Sequence, residues 1–201
     1  IISNNNFPVF VLMSSANIDR IVTFYKAAKN TNRLFLEDVY MANITTVAGD
    51  NIPNPKDFDN VRIFLTIPTE KNYSILNKYK DKKIGRKEIS KNKFIMCIRS
   101  SMENYLEKLS KEISFDGGIL FYSMWKGYLE NDETKRFIDF MKGKGVKIVS
   151  LHTSGHADIK TIDALIEKTK PEYIIPVHTE NAKWFEKYAD CKIIYDYQYH
   201  F

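Results

Sequence analysis

No stretch of this 201-residue chain reaches the roughly 18 uninterrupted apolar residues that a membrane span needs, and the N-terminus lacks the basic region and apolar run of a signal peptide. These two absences make a cytoplasmic protein without membrane contact the expectation. Cysteine is scarce: Cys97 and Cys191 stand far apart and form no Cys-x-x-Cys pair. That argues against a disulfide framework or a zinc knuckle, and both are read as small buried residues inside apolar strands. Repeats of solenoid period and low-complexity tracts are missing as well. So is an initiator Met: the chain opens with Ile1 and enters an apolar segment at Phe7. A cut piece begins in this way, so further residues are expected in the functional protein.

What is present suits a folded domain. Apolar residues make up 44% of the chain and charged ones 27%, enough to bury a core, which excludes disorder. The formal net charge of +5 is unevenly placed. Between Lys78 and Lys93, eight basic residues face only Asp81 and Glu88, a net +6, which leaves −1 for the rest. Such a run attracts a phosphate backbone by counterion release, although a solvated surface is the commoner origin of a charge run.

The recurring pattern is an apolar run of strand length, a small polar residue, then a helix with apolar positions three and four apart. Phe7 to Met13 leads through Ser14 and Ser15 to a helix carrying Ile18, Ile21, Val22 and Tyr25 on one face. Lys93 to Ile98 leads to Ser100 with Glu103 three residues on, the signature of a capping box. Gly118 to Tyr122 leads to Ser123 and, after a loop, to a helix ending near Gly143 and Gly145. Val146 to Leu151 and Tyr173 to Val177 are further strands. This alternation predicts βαβ units, a mostly parallel sheet and the α/β class. Residues 43 to 92, punctuated by Pro53, Pro55 and Pro68, read as helices, loops and one strand around Arg62 to Ile67.

In parallel sheets ligands bind beyond the carboxyl ends of the strands, where helix N-termini offer unpaired N–H groups to phosphate oxygens. Plain N-capping explains a lone serine at such a place more simply, and it is the expectation for Ser100 and Ser123. Histidine is more telling. His152 and His156 stand four apart, but the preceding strand and Gly155 argue against a helical metal-binding face. The segment Pro176-Val177-His178-Thr179-Glu180 brings another histidine to the end of an apolar run. His156 and His178, at neighbouring strand ends, are candidates for one pocket.

The wording of those two segments is more specific than their spacing. Ser154-Gly155-His156-Ala157 followed by Pro176-Val177-His178-Thr179-Glu180 closely resembles the last two motifs of the β-CASP branch of the metallo-β-lactamase superfamily, which includes ribonuclease J. Ser14-Ser15-Ala16-Asn17-Ile18-Asp19-Arg20 resembles the turn that opens the family's β-CASP insert, and Arg33 to Tyr40 looks like the strand after its first helix. The likeness implies a parallel-sheet β-CASP domain with flanking helices over residues 1–145. Residues 146–201 would then be the C-terminal RNA-metabolising segment, a β/α part completing the αββα sandwich.

By this resemblance, His178 would ligate one of two zinc ions, and His156 would contact the scissile phosphate and help the leaving oxygen depart. Ser154, Gly155, Ser14 and Ser15 would bind substrate phosphate. Asn17 and Arg20 would line a nucleotide groove, and Glu180 would support the metal-bound histidine. The family's His-x-His-x-Asp-His motif and its remaining ligands are not in this sequence. One histidine cannot hold two zincs, so the chain alone is expected to be inactive. The implied function is zinc-dependent hydrolysis of phosphodiesters, with RNA or another nucleic acid and the missing N-terminal half as partners; a homo-oligomer is compatible with it. Two rivals stand beside it: a hydrolase of the same fold acting on a small ester or phosphate, and a non-catalytic nucleic-acid-binding module.

Overall fold

Strands buried on both faces need side chains that are apolar without alternation, and three runs of the chain have that character. In the computed structural model these are β1 (Val9–Leu12), β4 (Phe94–Ile98) and β5 (Ile119–Tyr122), every residue of which is buried. With β2 (Leu34–Asp38), β3 (Val61–Phe64) and β6 (Lys147–Ser150) they form a six-stranded sheet in the order β3-β2-β4-β1-β5-β6, parallel at every pairing. The structure describes residues 2–3, 6–151, 157–177 and 179–195. They fall into two compact units, 1–153 and 154–201. β6 hydrogen-bonds along β5 and so lies in the sheet of the first unit.

Two cores flank this sheet. On one face α1 (Ile18–Asn30) packs Ile21, Phe24, Tyr25 and Ala28 with Val9, Val11 and Met13. On the other, α5 (Glu103–Leu109) and α6 (Asp132–Gly143) bring Tyr105, Leu106, Leu109, Phe137 and Met141 to Phe10, Leu12, Met96 and Ile98. α2 (Val39–Ala48), α3 (Glu70–Asn77) and the short α4 (Arg86–Ile89) fill the stretch between β2 and β4. β3 stands close to where the sequence placed a strand. Cys97 is sealed within β4; burial pushes its thiol pKa well up, and the neighbouring Glu37 and Asp38 add to that. Cys191 departs from expectation: it is half-buried and precedes a strand instead of lying inside one.

Three local expectations are corrected. The run from Arg33 to Tyr40 leaves the sheet at Asp38, because the Asp38 carboxylate accepts from the Met41 N–H at 3.1 Å and caps α2. The Ser100–Glu103 capping box does not form. The chain tightens into a 3₁₀ turn over Ser100–Met102, so Glu103 becomes the first residue of α5, and the Ser100 hydroxyl donates to Glu133 at 2.9 Å. Ser123 caps nothing; it is buried and its hydroxyl has no partner among the described residues.

The second unit has α7 (Ile159–Thr169), capped by Asp158, whose carboxylate accepts from the Thr161 N–H at 2.8 Å and is held below the usual carboxylate range by that bond. A two-stranded parallel sheet pairs β7 (Tyr173–Ile174) with β8 (Lys192–Ile193). The run expected to continue to Val177 stops short because Pro176 has no N–H to give a neighbour. On α7 only Ile166 is buried, while Ile159 and Leu165 are about 60% exposed.

Candidate functional site

A parallel sheet is open to ligands where two adjacent strands send their connections to opposite faces, because the diverging chains leave a crevice at the carboxyl edge. One such place lies between β1 and β4. They are paired neighbours, yet the chain leaving β1 enters α1 on one face, and the chain leaving β4 enters α5 on the other. Ser14 and Ser15 follow β1, and Arg99 follows β4. Ser15 and Arg99 meet across the crevice, with Arg99 Nη1 donating to Ser15 Oγ at 3.3 Å.

Arg99 ties a third strand end to the same edge. Its guanidinium engages Asp38, at the tip of β2, through both nitrogens, with Nη1 to Oδ1 at 3.0 Å and Nη2 to Oδ2 at 2.5 Å. The paired fork is the stronger geometry for an arginine and a carboxylate. The same guanidinium lies 5.1 Å from the ring centre of Tyr40, the second residue of α2. Beside them is a cavity of about 430 Å³ walled by Asp38, Tyr40, Thr66, Ile67, Asn72 and Arg99. The Arg99–Asp38 pair is a residue combination that sequence reasoning missed. Its only signal was the end of two apolar runs in opposite charges, Leu-Phe-Leu-Glu-Asp and Phe-Ile-Met-Cys-Ile-Arg.

The Asp38 side chain is only 4% exposed, so its carboxylate depends on this partner. Arg99→Met should lower unfolding stability by about 3 kcal/mol, as expected when one half of a largely buried ion pair is removed. In urea denaturation, Asp38→Asn added to Arg99→Met should recover much of that loss, since an amide needs no cation. Additive losses would show that the two side chains are not energetically coupled.

The other proposed groove residues are more modestly placed. Ser14 is exposed, and its hydroxyl accepts from the Ala16 N–H at 3.4 Å. Asn17 is the N-cap of α1, its Oδ1 accepting from the Arg20 N–H at 3.1 Å, and Arg20 is half-buried. Glu180 is exposed. Ser154, Gly155, His156 and His178 lie outside the described residues. Among the described residues, no three His, Cys, Asp or Glu side chains gather to hold a metal, so these residues do not provide a zinc site. What they can do themselves is bind: hold an oxygen, accept a hydrogen bond, stack a ring.

Comparison with known proteins places part of the chain. Residues 144–192 match the family model of the Zn-dependent metallo-hydrolase RNA specificity domain, which makes this stretch similar to hydrolases of the metallo-β-lactamase superfamily. No curated protein matches the chain. Among solved structures, it is similar to the crystal structure of a protein of unknown function from Enterococcus faecalis V583, with a TM-score of 0.68 and 18% identity. That similarity covers 97% of this chain and 41% of the other, so the chain spans less than half the length of the protein it matches. The likeness concerns the fold.

Proposed function

We propose that this chain is the substrate-binding and C-terminal portion of a zinc-dependent metallo-hydrolase that cleaves RNA, the β-CASP type of metallo-β-lactamase-fold nuclease. The observation that carries the proposal is the match of residues 144–192 to the RNA specificity domain of such hydrolases. That stretch spans Ser154, Gly155, His156 and His178, the residues whose wording resembles the family's last two motifs. The uncovered apolar residues of α7 agree with it. A helix in a finished domain buries its apolar stripe, and Ile159 and Leu165 do not. A preceding segment bearing the other metal ligands would give that stripe a neighbour and His178 its companions.

In this reading the six-stranded unit positions RNA and the C-terminal unit delivers His156 and His178 to the chemistry. The test is a longer protein that includes the preceding coding sequence. It should purify with zinc, measured by elemental analysis, and cut a labelled single-stranded RNA, and chelation should remove both properties. A longer protein that is free of zinc and leaves RNA intact would end the proposal. One that cleaves only small esters or phosphates would replace RNA with a small substrate on the same fold.

A further inference from the structure

The basic run between Lys78 and Lys93 is not one solvated face. Lys82 pairs with Asp59 at 3.2 Å, and Lys83 donates to the Asn77 side-chain oxygen at 2.7 Å. Arg86 and Lys87, from α4, have no ion-pair partner among the described residues. With Lys108 of α5 they line a cavity of about 600 Å³, where Tyr73 and Tyr105 supply rings and Glu112 is the one acidic wall residue. Arg86 sits 6.0 Å from the centre of the Tyr105 ring. Three cations against one carboxylate leave this trough positive.

The trough adjoins the crevice cavity, and Thr66 lines both. The two differ in chemistry. In the crevice cavity the charge of Arg99 is answered by Asp38, so the place has little attraction for a phosphate. It presents instead the ring of Tyr40 and the side chain of Ile67, each 60% exposed. Beside them is the Asn72 amide, whose nitrogen donates to the Ile67 carbonyl at 2.9 Å and whose oxygen remains to accept. A flat, uncharged heterocycle with hydrogen-bond donors suits that wall. An aromatic pocket next to a basic trough is the arrangement by which single strands are held, with bases stacked and backbone neutralised.

We propose that the two cavities form one tract for single-stranded nucleic acid, with a base on Tyr40 beside Asn72 and the neighbouring phosphates on Arg86, Lys87 and Lys108. The tract rests on the RNA reading above and extends it to the nucleotides that Arg86, Lys87 and Lys108 would hold.

Fluorescence anisotropy of the 201-residue chain with labelled oligoadenylate and oligouridylate of about twelve nucleotides, a length within the usual site size, tests it. Reversing Arg86, Lys87 and Lys108 to Glu should weaken binding at least tenfold and flatten the dependence of log affinity on log salt by about two, the loss expected for three phosphate contacts on a single strand. Tyr40→Ala should weaken binding about tenfold, more for oligoadenylate than for oligouridylate, and leave the salt slope unchanged, whereas Tyr40→Phe should bind as the parent does. Thermal melting of each variant separates lost contacts from lost folding, and Tyr40→Phe keeps the test open if Tyr40→Ala unfolds.

Parental affinity in both the charge-reversed chain and Tyr40→Ala would overturn the proposal, as would equal affinity for polyglutamate or for duplex. The two readings fail separately. A longer protein that cuts RNA although these variants bind normally loses only the tract. Variants that behave as expected, in a protein whose longer form holds no zinc, lose only the hydrolase.

Discussion

In a longer protein that carries the remaining ligands, His178→Ala is expected to lose bound zinc, whereas His156→Ala is expected to keep it and lose cleavage. The two histidines have the same side chain, and the proposal gives them different work. An imidazole that ligates is part of the metal's affinity, and removing it opens the site; elemental analysis after dialysis reads this directly. An imidazole that contacts the scissile phosphate supplies a proton to the departing oxygen. Losing such a group typically costs about 10² to 10⁴ in rate, with the metal untouched. Equal metal loss in both variants would show that the roles are not divided. Equal metal retention with cleavage surviving in His156→Ala would remove that histidine from the chemistry.

Glu37→Gln is expected to change the pH dependence of stability more than any other single substitution in the first unit. Glu37 is fully buried on β2, its Oε2 accepting from the Thr45 hydroxyl at 3.0 Å and its Oε1 without a partner among the described residues. Burial pushes its pKa from the usual 4.5 up to about 8; Asp38 nearby adds to this, and the Thr45 bond opposes it. The fold therefore holds the protonated acid. Below pH 4.5 the group is neutral in both folded and unfolded chains and costs nothing. Between pH 4.5 and 8 only the unfolded chain ionises it, so stability falls as pH rises and levels off beyond about 8. The total swing is on the order of 5 kcal/mol, since each pKa unit is worth about 1.4 kcal/mol. Glutamine has no proton to lose. Urea denaturation across pH 5 to 9 should show Glu37→Gln level with the parent, or slightly below it, at the acid end and well above it at the alkaline end. Parallel stability curves would refute the shift.

The parallel sheet was legible because its central strands are buried on both faces. Val9 to Leu12, Phe94 to Ile98 and Ile119 to Tyr122 read as unbroken apolar runs, and nothing but a strand of that length accommodates them here. α2 was not legible. The strand beginning at Arg33 reads on to Tyr40, and the cap from Asp38 to Met41 makes Val39 and Tyr40 the start of a helix instead. Ser100 shows the opposite failure. A local capping pattern was present, but a partner 33 residues away, Glu133, took the hydroxyl. Arg99 and Asp38 meet only because β2 and β4 are neighbours in the sheet, and no spacing along the chain announces a pair 61 residues apart. The histidine motifs were legible as wording alone, and His156 and His178 lie outside the described residues.

The strand order also sets how this chain must be assembled. Val9 pairs with Ile95 on one side and Ile119 on the other, so β1 is made long before either of its neighbours. Unlike a hairpin, it has nothing local to zip against, which is the high-contact-order situation that slows folding. On a ribosome moving at about 5 to 20 residues per second, β1 waits on the order of 5 to 20 seconds for both partners. For that interval Val-Phe-Val-Leu is a bare, strongly β-forming segment, and chaperone capture during synthesis should concentrate there.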